Sequence, residues 1–334
     1  MKKVISLILV AAMMLGLTAC ANNAHEGENL KVAVVLAGAT GDRSFYDSAN
    51  EGLKALENGG NVQGMLFECQ NDASMFTSNL ISAAEKNDVV VAVGWEFWDA
   101  LVEYAPQLPD TKFIFVDNGL ADVGDNLLSI TYAQNEGSFL VGYIAGKLTT
   151  TDKIGAVGGE DSETINDFIV GYEAGAKYAN PNIQVQTKYA DTYDDPARGK
   201  ELALALYDAG CDIVFQVASR TGEGVFEAAA ERKLYAIGVD SDQKYINPDV
   251  IICSMVKQVG PSIEETVSAL LEDGTWNGGE IWVADMSTGL VDVGYGDDSM
   301  TQQVSDELKA EVEQVKADII ADKIEVPTAF KTND

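Results

Sequence analysis

From residue 30 onward, the chain alternates between short apolar stretches and longer stretches in which apolar positions recur every three to four residues. The short apolar stretches have the length and the β-branched content of buried strands. They predict strands at residues 31–38, 62–69, 89–94, 112–117, 127–132, 153–159, 183–190, 211–218, 234–240 and 250–256. The amphipathic stretches predict helices at residues 45–56, 73–86, 96–104, 136–148, 165–178, 197–209, 222–232 and 261–271. This alternation is typical of parallel sheets with helices on both faces.

The strands fall into two similar series, so the pattern predicts an α/β protein with two doubly wound parallel-sheet lobes joined by a hinge. We assign residues 30–132 and about 247–275 to an N-terminal lobe. Residues 133–246 and about 276–296 are assigned to a C-terminal lobe, and residues 297–334 to a C-terminal helical segment. Ligands bind beyond the carboxyl ends of the strands in such sheets. Two facing lobes would therefore enclose a cleft that closes by hinge bending.

The first residues predict export. Two lysines precede an apolar run that ends in Leu17-Thr18-Ala19-Cys20, which is typical of a secretory signal peptide over residues 1–19. The run is too short for a transmembrane helix, which needs roughly twenty residues. Leu-Thr-Ala-Cys resembles the lipobox of bacterial lipoproteins, in which Cys20 would be diacylated and residues 20–29 would form a tether. The alternative is an ordinary signal peptide with a coincidental cysteine.

Composition narrows the class of partner. The formal net charge is −31, the opposite of the basic surface that binds nucleic acid, and it argues equally against docking on anionic lipid. We therefore expect no nucleic-acid partner and a membrane contact through the lipid anchor only. The three cysteines besides Cys20 are an odd number without C-x-x-C spacing, which favours small buried side chains over disulfides.

Catalytic and metal motifs are missing from the sequence. The single histidine, His25, lies in the tether, so a Ser-His-Asp or Cys-His arrangement cannot form in the folded part. We also predict no metal site, because no histidine-based ligand set is available, and we expect no cofactor. Aromatic, amide and acidic residues instead follow the predicted strands, among them Asp42, Trp95 and Asp117. Stacking faces beside hydrogen-bond acceptors suit a neutral ligand that carries a ring and hydroxyl groups.

Eight short stretches carry a resemblance to a known family. They are GDRSF at 41–45, EGL at 51–53, NEGSFLVGY at 135–143, IGAVGG at 154–159, GYEAGA at 171–176, TGEGV at 221–225, IGVDSDQ at 237–243 and SMVK at 254–257. With these stretches in this order, the sequence resembles the basic membrane protein family of substrate-binding lipoproteins, which serve ABC-type nucleoside importers. The resemblance covers nearly the whole mature chain and implies a type I periplasmic-binding-protein fold.

The resemblance also implies roles for individual residues. A purine nucleoside would be held between two aromatic rings, which correspond to Phe45 and Phe168 in this sequence. Asp240 and Lys257 would hold the ribose hydroxyls, and Gly222 would let the backbone come close to the ligand. The ordinary alternatives are core packing for the two phenylalanines, a loop or capping role for Asp240 and solvent exposure for Lys257.

One departure from the family pattern concerns the loop after the first strand. The family commonly has an aspartate or asparagine with glycines there, whereas this chain reads Leu36-Ala37-Gly38-Ala39-Thr40. The residue that reads the edge of the base is therefore not assigned. Asp117, Asp42 and the bulky Trp95 remain as further ligand-binding candidates.

These observations lead to one hypothesis and two alternatives. We expect a monomeric lipoprotein on the extracytoplasmic face of the cell membrane that binds a nucleoside and delivers it to an ABC permease, without chemistry on the ligand. The first alternative is the same fold with another ligand, such as riboflavin, a sugar or a signalling molecule. The second is a carboxylate-dependent hydrolase of the ligand.

Overall fold

The computed structural model describes residues 29–330, and within them the strands form two six-stranded sheets. The strands are β1 (Leu30–Leu36), β2 (Val62–Glu68), β3 (Val89–Val93), β4 (Lys112–Val116), β5 (Leu127–Tyr132), β6 (Lys153–Gly158), β7 (Gln184–Tyr189), β8 (Ile213–Val217), β9 (Tyr235–Asp240), β10 (Ile251–Lys257), β11 (Ile281–Ala284) and β12 (Val291–Gly294). The helices are α1 (Phe45–Asn58), α2 (Ala73–Ala84), α3 (Trp98–Tyr104), α4 (Gln134–Leu148), α5 (Glu163–Ala179), α6 (Pro196–Asp208), α7 (Glu223–Arg232), α8 (Val259–Glu272) and α9 (Asp306–Ile320). All predicted strands and helices are confirmed, with ends that differ by two residues at most.

The two sheets have equivalent strand orders. The first is β11-β5-β4-β3-β1-β2 and the second is β12-β10-β9-β8-β6-β7. The first sheet is parallel throughout, whereas β12 runs antiparallel to β10 at the edge of the second. This is the predicted fold of two doubly wound α/β lobes.

Burial on both faces explains why the apolar pattern identified the strands. Every residue of β3 and β8 is buried, because helices cover both sides of each sheet. One apolar cluster joins the inner faces of the two lobes, and a separate cluster fills the other side of each sheet. Cys69, Cys211 and Cys253 are free and buried, as predicted.

The lobe assignment of two segments was wrong in part. Residues 247–275 were assigned to the N-terminal lobe, but β10 pairs with β9 in the second sheet; only α8 packs against α1 of the first lobe, where the Gly260 amide donates to Ser48 Oγ at 3.1 Å. Residues 276–296 were assigned to the C-terminal lobe, and β12 does pair with β10 in the second sheet, but β11 pairs with β5 in the first. The chain therefore crosses between lobes after β5, after β10 and after β11, which defines the hinge.

The C-terminal part is helical only in α9, which packs against α4 of the second lobe through the bond from Tyr143 Oη to Glu311 at 2.8 Å. Within residues 29–330, no helix has the length and apolar character needed to cross a membrane. The predicted signal peptide, Cys20, His25 and the tether up to residue 28 lie outside the described residues.

Candidate functional site

The carboxyl ends of the strands in both sheets face one cleft between the lobes. Its space, including the part open to solvent, is about 660 Å³. Six of the eight predicted ligand-binding residues line it: Phe45, Trp95, Asp117, Phe168, Asp240 and Lys257. Phe45, Trp95 and Asp117 come from the first lobe, and the other three come from the second. The structure thus brings together residues that are more than two hundred positions apart in sequence.

A buried ion cluster lies at the floor of the cleft. Lys257 Nζ is 2.8 Å from Asp117 Oδ1 and 3.6 Å from Asp240 Oδ1, and the lysine side chain is 2% exposed. Burial alone would disfavour the ammonium, but the two carboxylates outweigh it and the pKa of Lys257 lies above its usual value. Burial raises the pKa of Asp117, and the attraction of Lys257 only partly offsets this. The cluster therefore contains a charged lysine that interacts with two carboxylates.

Backbone geometry places both aspartates at the ends of their strands. Asp117 follows β4 with a φ of 76°, and Asp240 ends β9 with a φ of 61°. Left-handed backbone is uncommon outside glycine, although aspartate and asparagine tolerate it better than most residues. At both positions the backbone therefore turns sharply at the end of the strand, and the aspartate lines the cleft.

Three aromatic rings lie close to the lysine: Phe45 and Tyr132 of the first lobe and Phe168 of the second. Lys257 Nζ lies 4.9 Å from the centroid of the Phe45 ring and 5.0 Å from that of Phe168. Since both centroids are this close to one atom, the rings cannot be more than about twice that distance apart. Phe168 is 2% exposed, whereas Phe45 at the start of α1 is partly exposed. The arrangement offers an aromatic face from each lobe.

The remaining two predicted residues, Asp42 and Gly222, do not line the cleft, and Asp42 lies in a contact between the lobes. Asp42 Oδ2 accepts a hydrogen bond from Ser219 Oγ of the other lobe at 3.0 Å, and its carboxylate also accepts the amides of Ser44, Tyr46 and Asp47. Burial raises the pKa of Asp42 to about 6, although these amides oppose the shift. Asp42 therefore organises the loop before α1 and joins it to the second lobe.

Gly222 leaves room for a buried amide network. A Cβ at this position would lie 1.8 Å from Gln216 Oε1. Gln216 Nε2 donates to Gln243 Oε1 at 2.7 Å, and Gln243 Nε2 donates across the cleft to the carbonyl of Arg43 at 3.0 Å. The absence of a side chain at Gly222 thus leaves room for a network that reaches the first lobe.

Sequence reasoning missed several residues of the cleft wall. They are Tyr46, Glu96, Ser162, Thr164, Tyr193 and Ser219, together with smaller apolar neighbours. Glu96 is the third residue after β3 and Ser219 the second after β8, so the strand-end rule pointed to their segments, but neither residue was singled out. Tyr193 lies beyond β7 in a segment without a recognised motif. Among the described residues, no group of histidine, cysteine, aspartate and glutamate could hold a metal ion.

The comparisons with a family model and with individual relatives indicate the same protein family. A family model described as ABC transporter substrate-binding protein, PnrA-like, matches residues 29–329. The chain is similar to the ABC transporter nucleoside-binding protein BmpA of Lactococcus lactis subsp. cremoris (strain MG1363), with 34% identity over 98% of this chain and 99% of that protein. It is also similar to Basic membrane protein A of Borreliella burgdorferi, with 33% identity over 98% and 96% of the two chains.

Solved structures support the same fold. An ABC transporter solute-binding protein from Aeropyrum pernix K1 superposes with a TM-score of 0.80 and 25% identity, over 89% of this chain and 94% of that one. A solute-binding protein from Conexibacter woesei gives a TM-score of 0.74 over 90% and 100% of the two chains, at 24% identity. The matching relatives are substrate-binding proteins and not enzymes, so the hydrolase alternative is dropped.

Proposed function

The chain belongs to the family of PnrA-like substrate-binding proteins of ABC transporters, and from this premise we propose that it captures a purine nucleoside in the cleft for delivery to an ABC permease. The observation that carries the proposal is the position of Lys257, which lies beside Asp117 and Asp240 and 4.9 Å and 5.0 Å from the ring centroids of Phe45 and Phe168. The cleft therefore combines charged hydrogen-bonding groups with two aromatic faces. A nucleoside has the matching halves, a sugar with hydroxyls and a flat heterocycle.

The ion cluster suits the sugar. A ribose hydroxyl can donate to a carboxylate and accept from an ammonium at the same time. Asp240 Oδ2 already accepts from Ser44 Oγ at 2.7 Å, whereas its Oδ1 is 3.6 Å from Lys257, a distance too long for a strong hydrogen bond. Ribose hydroxyls that bridge the two residues would donate to Asp240 Oδ1 and accept from Lys257 Nζ. Charge-assisted bonds of this kind are roughly twice as strong as neutral ones.

The aromatic pair suits the base. Stacking a base on an aromatic side chain is worth on the order of 1–3 kcal/mol in single-strand binders. Because the two rings belong to different lobes, a base between them would favour the closed arrangement over an open one. This is a population shift, in which the permease recognises the form that the ligand stabilises.

Charge argues for a neutral ligand. Asp117, Asp240 and Glu96 all line the cleft, with Lys257 as their only cationic neighbour among its lining residues. A phosphate would add negative charge next to these acids and to a chain whose net charge is −31. Like charges brought together in a partly buried site cost free energy. We therefore expect nucleosides to bind and nucleoside monophosphates to bind far more weakly.

A binding experiment tests this function. The purified mature protein is titrated calorimetrically with guanosine, inosine, adenosine, riboflavin, ribose and adenosine monophosphate. We expect heat from at least one purine nucleoside, and a melting temperature that rises with its concentration by mass action. Binding of riboflavin or a sugar without any response to nucleosides would replace the proposed ligand by that compound.

Attachment to the membrane is a second part of the proposal. We propose that the protein is held on the extracytoplasmic face of the cell membrane through lipid on Cys20, and that it acts as a monomer. Metabolic labelling with a radioactive fatty acid should mark the wild-type protein but not Cys20→Ala. Release of the variant into the medium is the expected consequence, since stable anchoring requires the acyl chains. Labelling that survives the substitution would contradict the anchor.

A further inference from the structure

Glu96 is a carboxylate of the cleft that is not part of the ion cluster. It lies in the short 3-10 turn Trp95–Phe97 after β3, and it lines the cleft. Its Oε2 is buried and has no hydrogen-bond partner within the described part of the chain. Burial, together with the charges of Glu160 and Asp117, raises the pKa of this carboxyl to about 7. A buried polar atom without a partner costs free energy, and a ligand with N–H donors would remove that cost.

The backbone before Glu96 is shaped around this carboxylate. Gly94 has a φ of 121°, a conformation that glycine adopts readily and other residues do not. A Cβ at Gly94 would lie only 2.4 Å from Glu96 Oε2. The carboxylate therefore packs against the end of β3, in space that the glycine leaves free, and is not extended into solvent.

Glu96 lies one strand away from the ion cluster, because it follows β3, which pairs with β4, the strand that Asp117 follows. Asp240 and Lys257 end β9 and β10 in the second sheet, whereas Tyr193 follows β7 at the far edge. The charge of Glu96 contributes to a raised pKa of Tyr193, so the two residues lie within electrostatic reach of each other. A nucleoside with its sugar at the ion cluster would extend its base toward Glu96.

We propose that Glu96 reads the edge of the base and makes the protein selective for a purine edge that presents a ring N–H beside an exocyclic amino group, as in guanosine. The inference rests on the proposed function, because it needs a nucleoside in the cleft. Two carboxylate oxygens can accept one hydrogen bond each from two neighbouring donors. Inosine offers only the ring N–H, and adenosine presents an acceptor nitrogen at that position, which a carboxylate would repel.

Calorimetric titrations of the wild-type protein and of Glu96→Gln with guanosine, inosine and adenosine test this assignment at pH 8, where Glu96 is mostly ionised. We expect the wild type to bind guanosine about tenfold or more tightly than inosine, and adenosine more weakly still. Glu96→Gln should lose guanosine affinity by about tenfold or more, while inosine affinity falls by less. The preference between the two ligands should therefore shrink in the variant.

Glu160→Gln is the matched control. Glu160 follows β6 and acts electrostatically on Glu96, but it is not among the residues that line the cleft, so its variant removes the same charge without removing the proposed contact. It should keep the guanosine preference. A wild type without that preference, an unchanged preference in Glu96→Gln, or an equal loss in Glu160→Gln would overturn the inference alone. A wild type that binds none of the three nucleosides would overturn the proposed function, and the inference with it.

Discussion

Lys257 Nζ of the second lobe lies 2.8 Å from Asp117 Oδ1 of the first. This contact crosses the cleft at the place where the sugar is proposed to bind. The pair therefore links the two lobes, and in the proposed site it would also contact the sugar. Because desolvation of a buried ion pair is costly, such a pair is weak evidence for stability, whereas removing one partner leaves an uncompensated charge.

Replacing Lys257 by methionine should separate these two roles. The variant leaves Asp117 and Asp240 buried without their cation, and breaking a buried pair in this way typically costs roughly 3–5 kcal/mol. Urea unfolding should show a loss of this order, and calorimetry should show loss of nucleoside binding. The control is Lys323→Met, which removes an exposed lysine that pairs with Asp318 at 2.7 Å and should cost less than about 1 kcal/mol. Equal losses in the two variants would argue against a special role for the cluster.

The aromatic pair leads to a second prediction. Phe45→Leu and Phe168→Leu keep an apolar side chain but remove the ring, so each should weaken nucleoside binding by about tenfold or more. Calorimetry measures the affinity, and urea unfolding reports any loss of core packing. Phe226→Leu is the control, since Phe226 is 3% exposed and packs in the apolar cluster on the outer side of the second sheet. If all three variants bind as the wild type does, the base does not lie between the rings.

Much of the fold followed from the sequence because the strands are buried on both faces. The carboxyl ends of parallel strands meet at one edge of a sheet, and this rule brings Asp117, Asp240 and Lys257 together without any knowledge of distances. Phe168 was different, since its helix position also suits a core residue. Only the family resemblance singled it out, and the structure shows it to be in both the core and the cleft wall.

The lobe exchange of β10 and β11 could not be predicted from the apolar pattern. The apolar pattern identifies a strand but not the strand that pairs with it. Strands pair through backbone N–H and C=O groups, which are the same in nearly every residue. β11 is also a four-residue strand with two exposed side chains, Ile281 and Val283, so it lacks the pattern of a buried strand. Glu96 was overlooked for another reason: in a chain with 53 acidic residues, its burial arises only from the turn after β3.

Asp42 predicts a dependence of stability on pH. Its pKa is raised from 3.8 to about 6, so the folded state holds this proton more tightly than the unfolded state does. The contribution to the free energy of unfolding is therefore greatest below pH 4, falls as the pH rises from about 4 to about 6, and is constant above. The shift corresponds to about 3 kcal/mol at most.

Urea unfolding of the wild type and of Asp42→Asn between pH 4 and pH 7 measures this contribution. Because asparagine does not titrate, the difference between the two unfolding free energies should change across that interval in the direction given above. The pH dependence that both proteins share reports the other buried acids, among them Glu96. A difference that stays constant from pH 4 to pH 7 would contradict the raised pKa of Asp42.

A side chain added at Gly222 should weaken ligand binding through the buried amide network. In Gly222→Ala, the new Cβ would meet Gln216 Oε1 at 1.8 Å, so Gln216 would have to move and weaken its bond to Gln243. Overpacking of this kind typically costs about 1–3 kcal/mol, and the bond from Gln243 to the carbonyl of Arg43 would weaken with it. We expect a lower melting temperature and a several-fold lower nucleoside affinity. Gly59→Ala is the control, because Gly59 has ordinary helical angles and its nearest neighbour would be 3.2 Å from the added Cβ. A variant at 222 that melts lower but binds with wild-type affinity would show that the amide network stabilises the second lobe alone and not the contact between lobes.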